Sequence, residues 1–318
     1  MAEKELNIDF MGSRKIAAGA SIFFVLASIG CLIAFQLEWG LDFTGGTLVE
    51  LYYDEPVVPD DLRATLSNSG YEGHVVQYFG SEHDVLIRVP PQKNLDEKSN
   101  ASLGNIIARR LQSESAGNVV LRRSEFVGPA VGEELTNKGV IALLTALGLV
   151  LVYVAFRFQL KFAIGAVVAL FHDVTIVLGV FSLTHWSFDL TVLAALLAVI
   201  GYSLNDTIVV SDRIRENFRI LRKMNPLAII NTSLNQTLGR TLVTSLTTLL
   251  VLFALLALGG ELVRGFALAL IIGVTVGTYS SVYVAANILV VMKISKEDLA
   301  LPVKEGADDP NLPGPTGF

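Results

Sequence analysis

The chain has 318 residues, of which 52% are hydrophobic and 17% charged, and its formal net charge is −6. Soluble proteins average about 25% charged residues, and disordered chains have low hydrophobicity, so this composition excludes both a single soluble domain and a disordered chain. The charges are concentrated in one segment, since residues 38–137 hold 8 Lys and Arg and 16 Asp and Glu. We therefore predict an α-helical integral membrane protein with one globular insert.

Six apolar windows predict six transmembrane helices. A helix needs about 20 mostly apolar residues to cross the hydrocarbon core of a bilayer. Backbone groups cannot remain unpaired in lipid, and the windows lack the alternating polarity of a transmembrane barrel, so they should be helical. The first window is too long for the apolar core of a signal peptide and should remain as an anchor. The windows are 16–37, 139–156, 162–184, 190–211, 241–260 and 265–292.

Basic residues near the ends of the windows predict the orientation of the helices. They cluster before the first window, between the second and third, between the fourth and fifth, and after the sixth. Since positive residues favour the cytoplasmic side, both termini should be cytoplasmic and the insert should lie outside. The predicted organisation is a cytoplasmic N-terminus over 1–15, helix 1 over 16–37, the external domain over 38–137, helices 2–6 over 138–293 and a disordered cytoplasmic tail over 294–318.

Short β-like and helix-like stretches alternate within the external segment. Pro59 followed by two aspartates is typical of a helix start, and the apolar residues of a second helix share one face. Nothing in this segment has the spacing of a nucleophile or of metal ligands, which favours a binding or lever domain without catalytic chemistry. The order β-α-β-β-α-β predicts a ferredoxin-like α+β domain. Strands are predicted over 47–53, 75–79, 85–89 and 119–121, the last with a possible extension to 127, and helices over 59–68 and 101–113.

A carboxylate inside a membrane helix is costly, which makes Asp206 a candidate functional residue. It lies within the fourth window beside Asn205, and Tyr202 and Arg213 fall on the same helical face. Such a polar stripe should not face lipid. The alternative is that Asp206 lies near the cytoplasmic headgroups and only caps the helix or pairs with Arg213.

Arg240, next to the start of the fifth window, is a candidate partner for Asp206. A guanidinium stays protonated even when it is buried. Its approach would therefore hold the carboxylate ionised, whereas its withdrawal would favour the neutral acid. The pair would then be a two-state element that responds to the supply of protons. The alternative for Arg240 is that its side chain only extends to the membrane interface.

Two further groups of residues have open interpretations. His172 and Asp173 lie midway along the third window, where they either relay protons or satisfy a neighbouring helix without a transport role. Asp42 precedes the pair Gly45 and Gly46 after the first window, and because glycine permits unusual backbone angles, this link is either a hinge or a plain tight turn.

The single cysteine excludes an internal disulfide and a cysteine-based metal site, and no phosphate-loop motif is present, so we expect no metal, no cofactor and no ATP hydrolysis.

Four segments together give the chain a resemblance to the SecD/SecF family, which assists bacterial protein export and belongs to the RND superfamily of transporters. The length resembles that of the shorter, separate subunit, which pairs with SecD, rather than that of the fused form. The segments are 41–46 (LDFTGG), 171–174 (FHDV), 201–217 (GYSLNDTIVVSDRIREN) and 235–241 (NQTLGRT).

The resemblance implies a transport subunit of the bacterial inner membrane rather than an enzyme. With SecD, such a subunit uses the proton-motive force to promote polypeptide export after SecA-driven insertion, and its external domain is periplasmic. The implied partners are SecD in a heterodimer, the SecYEG channel, YajC in some bacteria, the exported unfolded polypeptide and membrane lipid, with no nucleic acid. The conserved aspartate and arginine of the family fall on Asp206 and Arg240 and implicate both in proton movement, although some members couple to sodium.

Two functions of other classes also fit six membrane helices. One is half of a small-molecule RND-type efflux transporter, although an external domain of about 100 residues is a poor container for a drug-sized site. The other is a passive scaffold of the translocase complex, in which the polar residues of the membrane helices have no transport role.

Overall fold

The computed structural model describes residues 8–92, 97–115, 117–295 and 298. In this part of the chain, six helices are long and apolar enough to span a membrane, namely α1 and α5 to α9 below, so the predicted multi-pass helical membrane protein is confirmed. The first seven residues and nearly all of the predicted tail over 294–318 lie outside the described residues. In chain order the elements are α1 (Arg14–Phe35), β1 (Glu38–Trp39), α2 (Leu41–Thr44), β2 (Gly46–Tyr53), α3 (Pro59–Asn68), β3 (Val75–Phe79), β4 (Ser81–Val89), α4 (Glu97–Glu114), β5 (Val119–Val127), α5 (Pro129–Arg157), α6 (Leu160–Thr184), β6 (Ser187–Phe188), α7 (Leu190–Ile220), α8 (Pro226–Leu258) and α9 (Glu261–Val291).

Three membrane helices extend well beyond their apolar windows. α5 begins at Pro129, within the 38–137 segment, which keeps the name external domain from its predicted location. α7 continues to Ile220, and α8 already begins at Pro226. Asn225 caps α8 by accepting a hydrogen bond from the Leu227 amide (3.0 Å), and proline suits the first helical position. The prediction missed these turns because they lie outside the apolar layer that hydrophobicity detects.

Helices α6 and α7 form the interior of the bundle. In the most apolar stretch of each helix, 67% of α6 and 56% of α7 is buried, compared with 17% of α1 and α8 and 11% of α5. Helix α9 packs mainly against α6, α7 and α8. The apolar faces of α1, α5 and α8 are therefore left for lipid or for another membrane subunit.

The segment between α1 and α5 has the predicted order of elements, β2-α3-β3-β4-α4-β5. The bounds of α3 and β3 agree with the prediction to the residue, whereas β4 and α4 each begin four residues earlier than predicted. The strands form an antiparallel sheet in the order β3-β4-β2-β5. Leu66 of α3 and Ile107 of α4 belong to one core cluster with Val49 and Ile87 of the sheet, so both helices cover the same face and the other face stays open.

A short parallel pair of strands attaches this external domain to the bundle. Trp39 of β1 lies opposite Phe188 of β6, which belongs to the link between α6 and α7. The rings of Trp39, Phe43 and Phe188 pack together with centroid distances of 5.6–5.9 Å. The first residues of the external domain are therefore fixed next to the N-terminal end of α7.

At the opposite end of the bundle, the first and last described residues of the chain pack against the membrane helices. Asn235 of α8 accepts a hydrogen bond from the Ile8 amide (2.8 Å), and Phe10 is buried beside it. Ile294 is also buried, and Lys161 donates to Asp298 (2.6 Å), so packed structure continues past residue 293. The hydrogen bond from Lys161 lowers the pKa of Asp298, and this contribution to stability is present at neutral pH and lost as the pH falls through the acidic range.

Candidate ion-coupling site

Asp206 lies near the middle of α7 with its side chain turned into the protein. The residue is only 2% exposed, and its Oδ2 atom is buried without a hydrogen-bond partner among the described residues. Arg213 makes no ion pair with Asp206 within 4.0 Å, and its guanidinium donates to Glu216 (2.8 Å) instead. The carboxyl group of Asp206 is therefore a buried acid with unused hydrogen-bonding capacity.

Asn205 and Arg240 border the Asp206 carboxyl group from α7 and α8. Arg240 is exposed, and among the described residues it makes no ion pair within 4.0 Å. The structure thus brings the three predicted residues together, with the guanidinium close enough to act on the acid electrostatically but not in a salt bridge with it.

Two threonine hydroxyls next in sequence to Asp206 and Arg240 are also buried, and neither has a hydrogen-bond partner among the described residues. They belong to Thr207, the next residue of α7, and to Thr241, the residue after Arg240 on α8. Buried polar groups nearly always bind a protein group or ordered water. Thr207 and Thr241 thus add two buried hydroxyls with unused hydrogen-bonding capacity, each next in sequence to one of the predicted residues. Neither threonine was assigned a role from the sequence.

The surface that carries Asn205 and Arg240 is formed by small and polar residues. Gly201 and Asn205 are exposed on α7, and Gly239 and Arg240 are exposed on α8. A Cβ atom added to either glycine would have no neighbouring atom within 4 Å. Small residues allow close packing of membrane helices, so this surface can receive a helix from another subunit next to the Asp206 site.

Asp173 forms a separate, fully buried polar cluster within the bundle. Its Oδ2 atom accepts hydrogen bonds from Ser203 of α7 (2.5 Å) and Ser280 of α9 (2.7 Å), and Oδ1 lies 2.8 Å from Nδ1 of His172. Nε2 of His172 is buried and has no partner among the described residues. Both carboxyl oxygens of Asp173 are thus occupied, and the side chain ties α6 to α7 and α9. No group of three or more His, Cys, Asp or Glu residues in the described ranges could hold a metal ion.

We expect Ser280→Ala to lower the stability of the folded protein by about 1 kcal/mol, because hydrogen bonds between membrane helices are worth about 0.6–1.7 kcal/mol. Asp173→Asn should cost more, since the amide places a donor where serine and histidine donors converge. Thermal unfolding in detergent would measure both effects. Ser281→Ala is the matched control, because Ser281 is equally buried but bonds only within α9, to the Thr278 carbonyl (3.0 Å). Equal losses in the two serine variants would contradict the role of Asp173 as a tie.

The Asp42 side chain is fixed to the beginning of α7. Its Oδ2 atom accepts a hydrogen bond from the Leu190 amide (3.0 Å), and Asp189 accepts one from the Val192 amide (2.9 Å). The two carboxylates therefore satisfy free amides of the first turn of α7, where negative charge is favourable. This link joins the LDFTGG segment to the same helix that carries Asp206.

Gly45 and Gly46 occupy a crowded turn with positive φ angles of 68° and 120°. A Cβ atom at Gly46 would lie 2.4 Å from the Val89 carbonyl oxygen, and one at Gly45 would lie 3.1 Å from the Pro129 Cα atom. Glycine is needed here both for its backbone angles and for the close approach of neighbouring backbone. The role of the pair as a hinge stays a prediction.

Arg88 of β4 provides a second link, between the external domain and the segment just before α7, and this link was not predicted from the sequence. Its guanidinium donates to Ser187 Oγ (2.7 Å) and to the Trp39 carbonyl (3.3 Å), and Glu38 lies 4.0 Å away. Burial lowers the pKa of Arg88, while the nearby carboxylates Glu38, Asp189 and Asp42 oppose this effect, so the side chain stays charged. An arginine within the apolar stretch 85–89 was the only signal of this contact in the sequence.

Family models match most of the chain. Residues 107–295 match the model described as "Protein export membrane protein SecD/SecF, C-terminal", and residues 32–57 match the "SecD/SecF GG Motif". The second match contains Asp42, Gly45 and Gly46, and the first contains all the polar residues of the membrane helices described above.

Similar proteins are named as subunits of the protein translocase. The chain is 48% identical to Protein translocase subunit SecF of Pseudomonas aeruginosa over 95% of this chain and 97% of that one, and 49% identical to SecF of Vibrio alginolyticus over 97% and 98%. The crystal structure of SecDF, a translocon-associated membrane protein from Thermus thermophilus, is 41% identical and superposes with a TM-score of 0.82 over 92% of this chain and 40% of SecDF. SecDF in a super-membrane-facing form has the same identity and coverage but a TM-score of 0.68.

Proposed function

Because the chain belongs to the SecD/SecF family and is an auxiliary subunit of the Sec translocase, we propose that it works with SecD to convert the proton-motive force into polypeptide export after SecA-driven insertion. The observation that supports this proposal most directly is the buried Asp206. Among the described residues, its Oδ2 atom has no hydrogen-bond partner, and Arg240 is nearby without a salt bridge to it. This is the arrangement that a reversible proton-binding site needs.

In the proposed cycle, a proton from outside neutralises Asp206, and the loss of charge changes its attraction to Arg240. Helices α7 and α8, which carry the two residues, then shift relative to each other until the proton leaves on the inner side. The energy is sufficient, because one charge that crosses 100 mV supplies about 2.3 kcal/mol, which biases a two-state equilibrium about fifty-fold. Sodium ions, which couple transport in some relatives, are the alternative ion at the same site.

The shift of α7 would reach the external domain through the residues at the outer end of this helix. Asp206 is 16 residues from Leu190 along a continuous helix, a distance of about 24 Å. At Leu190 the helix is bound by Asp42, and the link before it is bound by Arg88. A movement of α7 would therefore move the external domain, which we propose draws the emerging polypeptide outward and hinders its return. The two TM-scores obtained with the two SecDF forms support such a change in arrangement.

The exposed surface around Asn205 and Arg240 supports SecD as the partner that completes the site. SecD and this subunit occur as one chain in the SecDF relatives, so their helices can meet across this surface. We further propose that the external domain is a periplasmic ferredoxin-like domain, since its order of elements and of strands supports this fold. We also propose that both termini are cytoplasmic. The complex would contact SecYEG and, in some bacteria, YajC.

For the second buried cluster we propose distinct roles for its two residues. Asp173 has donors on both carboxyl oxygens and holds three helices together. His172 has a buried Nε2 atom without a partner among the described residues, beside this carboxylate. We propose that His172 relays protons, whereas Asp173 holds the three helices together.

Export into inverted membrane vesicles under separately imposed proton and sodium gradients tests this proposal. We expect vesicles that contain the protein and SecD to export more precursor when a proton gradient is imposed at constant ATP, and vesicles that lack the protein to show no such gain. A gain with sodium alone would reassign the ion. Equal export with and without either gradient would leave only the scaffold function, and drug sensitivity of a deletion strain with normal export would favour an efflux pump.

We expect Arg240→Met to abolish most of the gradient-dependent export, because the acid then lacks the cation that responds to its charge. Arg240→Lys should retain part of it, since the charge remains although the geometry of the guanidinium is lost. The measurement is the pH dependence of export in the same vesicles. An unchanged pH dependence in Arg240→Met would show that Arg240 only extends to the membrane surface.

A further inference from the structure

A cavity of about 500 Å³ lies between the open face of the external sheet and the outer end of the membrane bundle. The sheet contributes Leu48, Leu86 and Arg88, and the bundle contributes Trp186 and Leu268. Binding sites typically have volumes of about 300–1,000 Å³. The cavity is therefore large enough for a few residues of another molecule, and it lies directly beside the Asp42 and Arg88 links to α7.

One wall of the cavity is formed by an edge strand of the sheet. β3 is the terminal strand in the sheet order, and it pairs on one side only among the described residues. Its last three residues, Gln77 to Phe79, line the cavity, and Tyr78 is 47% exposed. Arg63 donates a hydrogen bond to the Val76 carbonyl (2.7 Å), but Val76 precedes these three residues. The backbone of an extended peptide is the partner that fits the edge of a strand.

The charges in the wall are balanced. Three arginines face three carboxylates, so the site favours neither an anionic nor a cationic ligand, and its aromatic and aliphatic side chains give it a partly apolar surface. A lipid headgroup site would need an excess of positive charge instead. The charged residues are Arg88, Arg123, Arg264, Asp42, Glu125 and Asp189.

We propose that this cavity binds an extended segment of the exported polypeptide, which adds as a strand beside residues 77–79 of β3 and places its side chains in the mixed cavity. Backbone pairing makes such binding independent of sequence, and the balanced lining makes it tolerant of charge. The site rests on the proposed export function, and it places the exported chain against the elements that α7 would move.

Photo-crosslinking in the complete complex tests the site. Benzoyl-phenylalanine replaces Tyr78 in the full chain, in membrane vesicles that also contain SecD and SecYEG, and a precursor is stalled during export by a folded domain at its C-terminus. Ile106 is the matched control position, since it is also exposed (46%) but lies on α4, on the other side of the sheet. We expect several-fold more crosslinked precursor from position 78 than from position 106, no adduct without precursor, and equal yields with acidic and basic precursor segments.

Three outcomes would overturn the proposal. They are crosslinks to SecD or to lipid with none to the precursor, equal precursor yields at positions 78 and 106, or a strong preference for acidic segments. The proposed export function fails in a different way, through the loss of gradient-dependent export in the vesicle assay. A complex that responds to the gradient but gives no precursor adduct at position 78 would remove the cavity site alone.

Discussion

Asp206→Asn should abolish the gain in export that an ion gradient produces, while export driven by ATP alone continues. Asparagine has nearly the shape of aspartate but cannot take up or release a proton, so the variant keeps the packing of α7 and loses the chemistry. Among the described residues Asp206 makes no ion pair within 4.0 Å and its Oδ2 atom has no hydrogen-bond partner, so this change breaks no salt bridge there. The measurement compares export into inverted vesicles with and without an imposed gradient.

Asp212→Asn is the matched control for this variant. Asp212 lies two turns further along α7, where it pairs with Arg215 (2.6 Å) and its side chain is 48% exposed. Exposed pairs contribute little to stability, so we expect this variant to respond to the gradient like the unmodified protein. SecD should co-purify equally with both variants. Gradient-dependent export at the normal level in Asp206→Asn would show that the buried acid is only structural.

The fold could largely be predicted because its main signals are local. Apolar windows locate the membrane helices, and the alternation of polarity and turn residues locates the strands of the external domain. Where the prediction made helices too short, the missing information was a contact between helices. The extensions of α7 and α8 are held together by Asn217, which donates to Ser233 and Gln236 (2.8 Å each), and no window of one helix reveals such a pair.

The candidate site could be predicted only for residues that are conspicuous on their own. Asp206 and Arg240 stand out because charges are rare in membrane helices. Thr207, Ser203 and Ser280 do not, since isolated hydroxyls in such helices are common and acquire a role only from their neighbours. The bond from the Leu190 amide to Asp42 joins residues 148 positions apart, which local pattern cannot anticipate.

Gly46→Ala should strongly destabilise the junction between the external domain and the bundle. The φ angle of 120° is unfavourable for any residue with a side chain, and the new methyl group would lie 2.4 Å from the Val89 carbonyl oxygen. This oxygen belongs to β4, whose pairing with β2 keeps it from moving away. Strain of this kind and overpacking each cost about 1–3 kcal/mol, so we expect a combined loss of about 3 kcal/mol or more.

Gly70→Ala separates the two causes of this loss. Gly70 also has a positive φ, 81°, but a Cβ atom there would have no neighbour within 4 Å, so only the backbone strain of about 1–2 kcal/mol remains. Thermal unfolding followed by tryptophan fluorescence is well suited to the comparison, because the two tryptophans of the chain, Trp39 and Trp186, both lie at the junction. Equal losses in both variants would mean that the close approach of Gly46 to Val89 contributes nothing. A much larger loss in Gly46→Ala would show that the glycine pair is required by packing, whether or not it also bends.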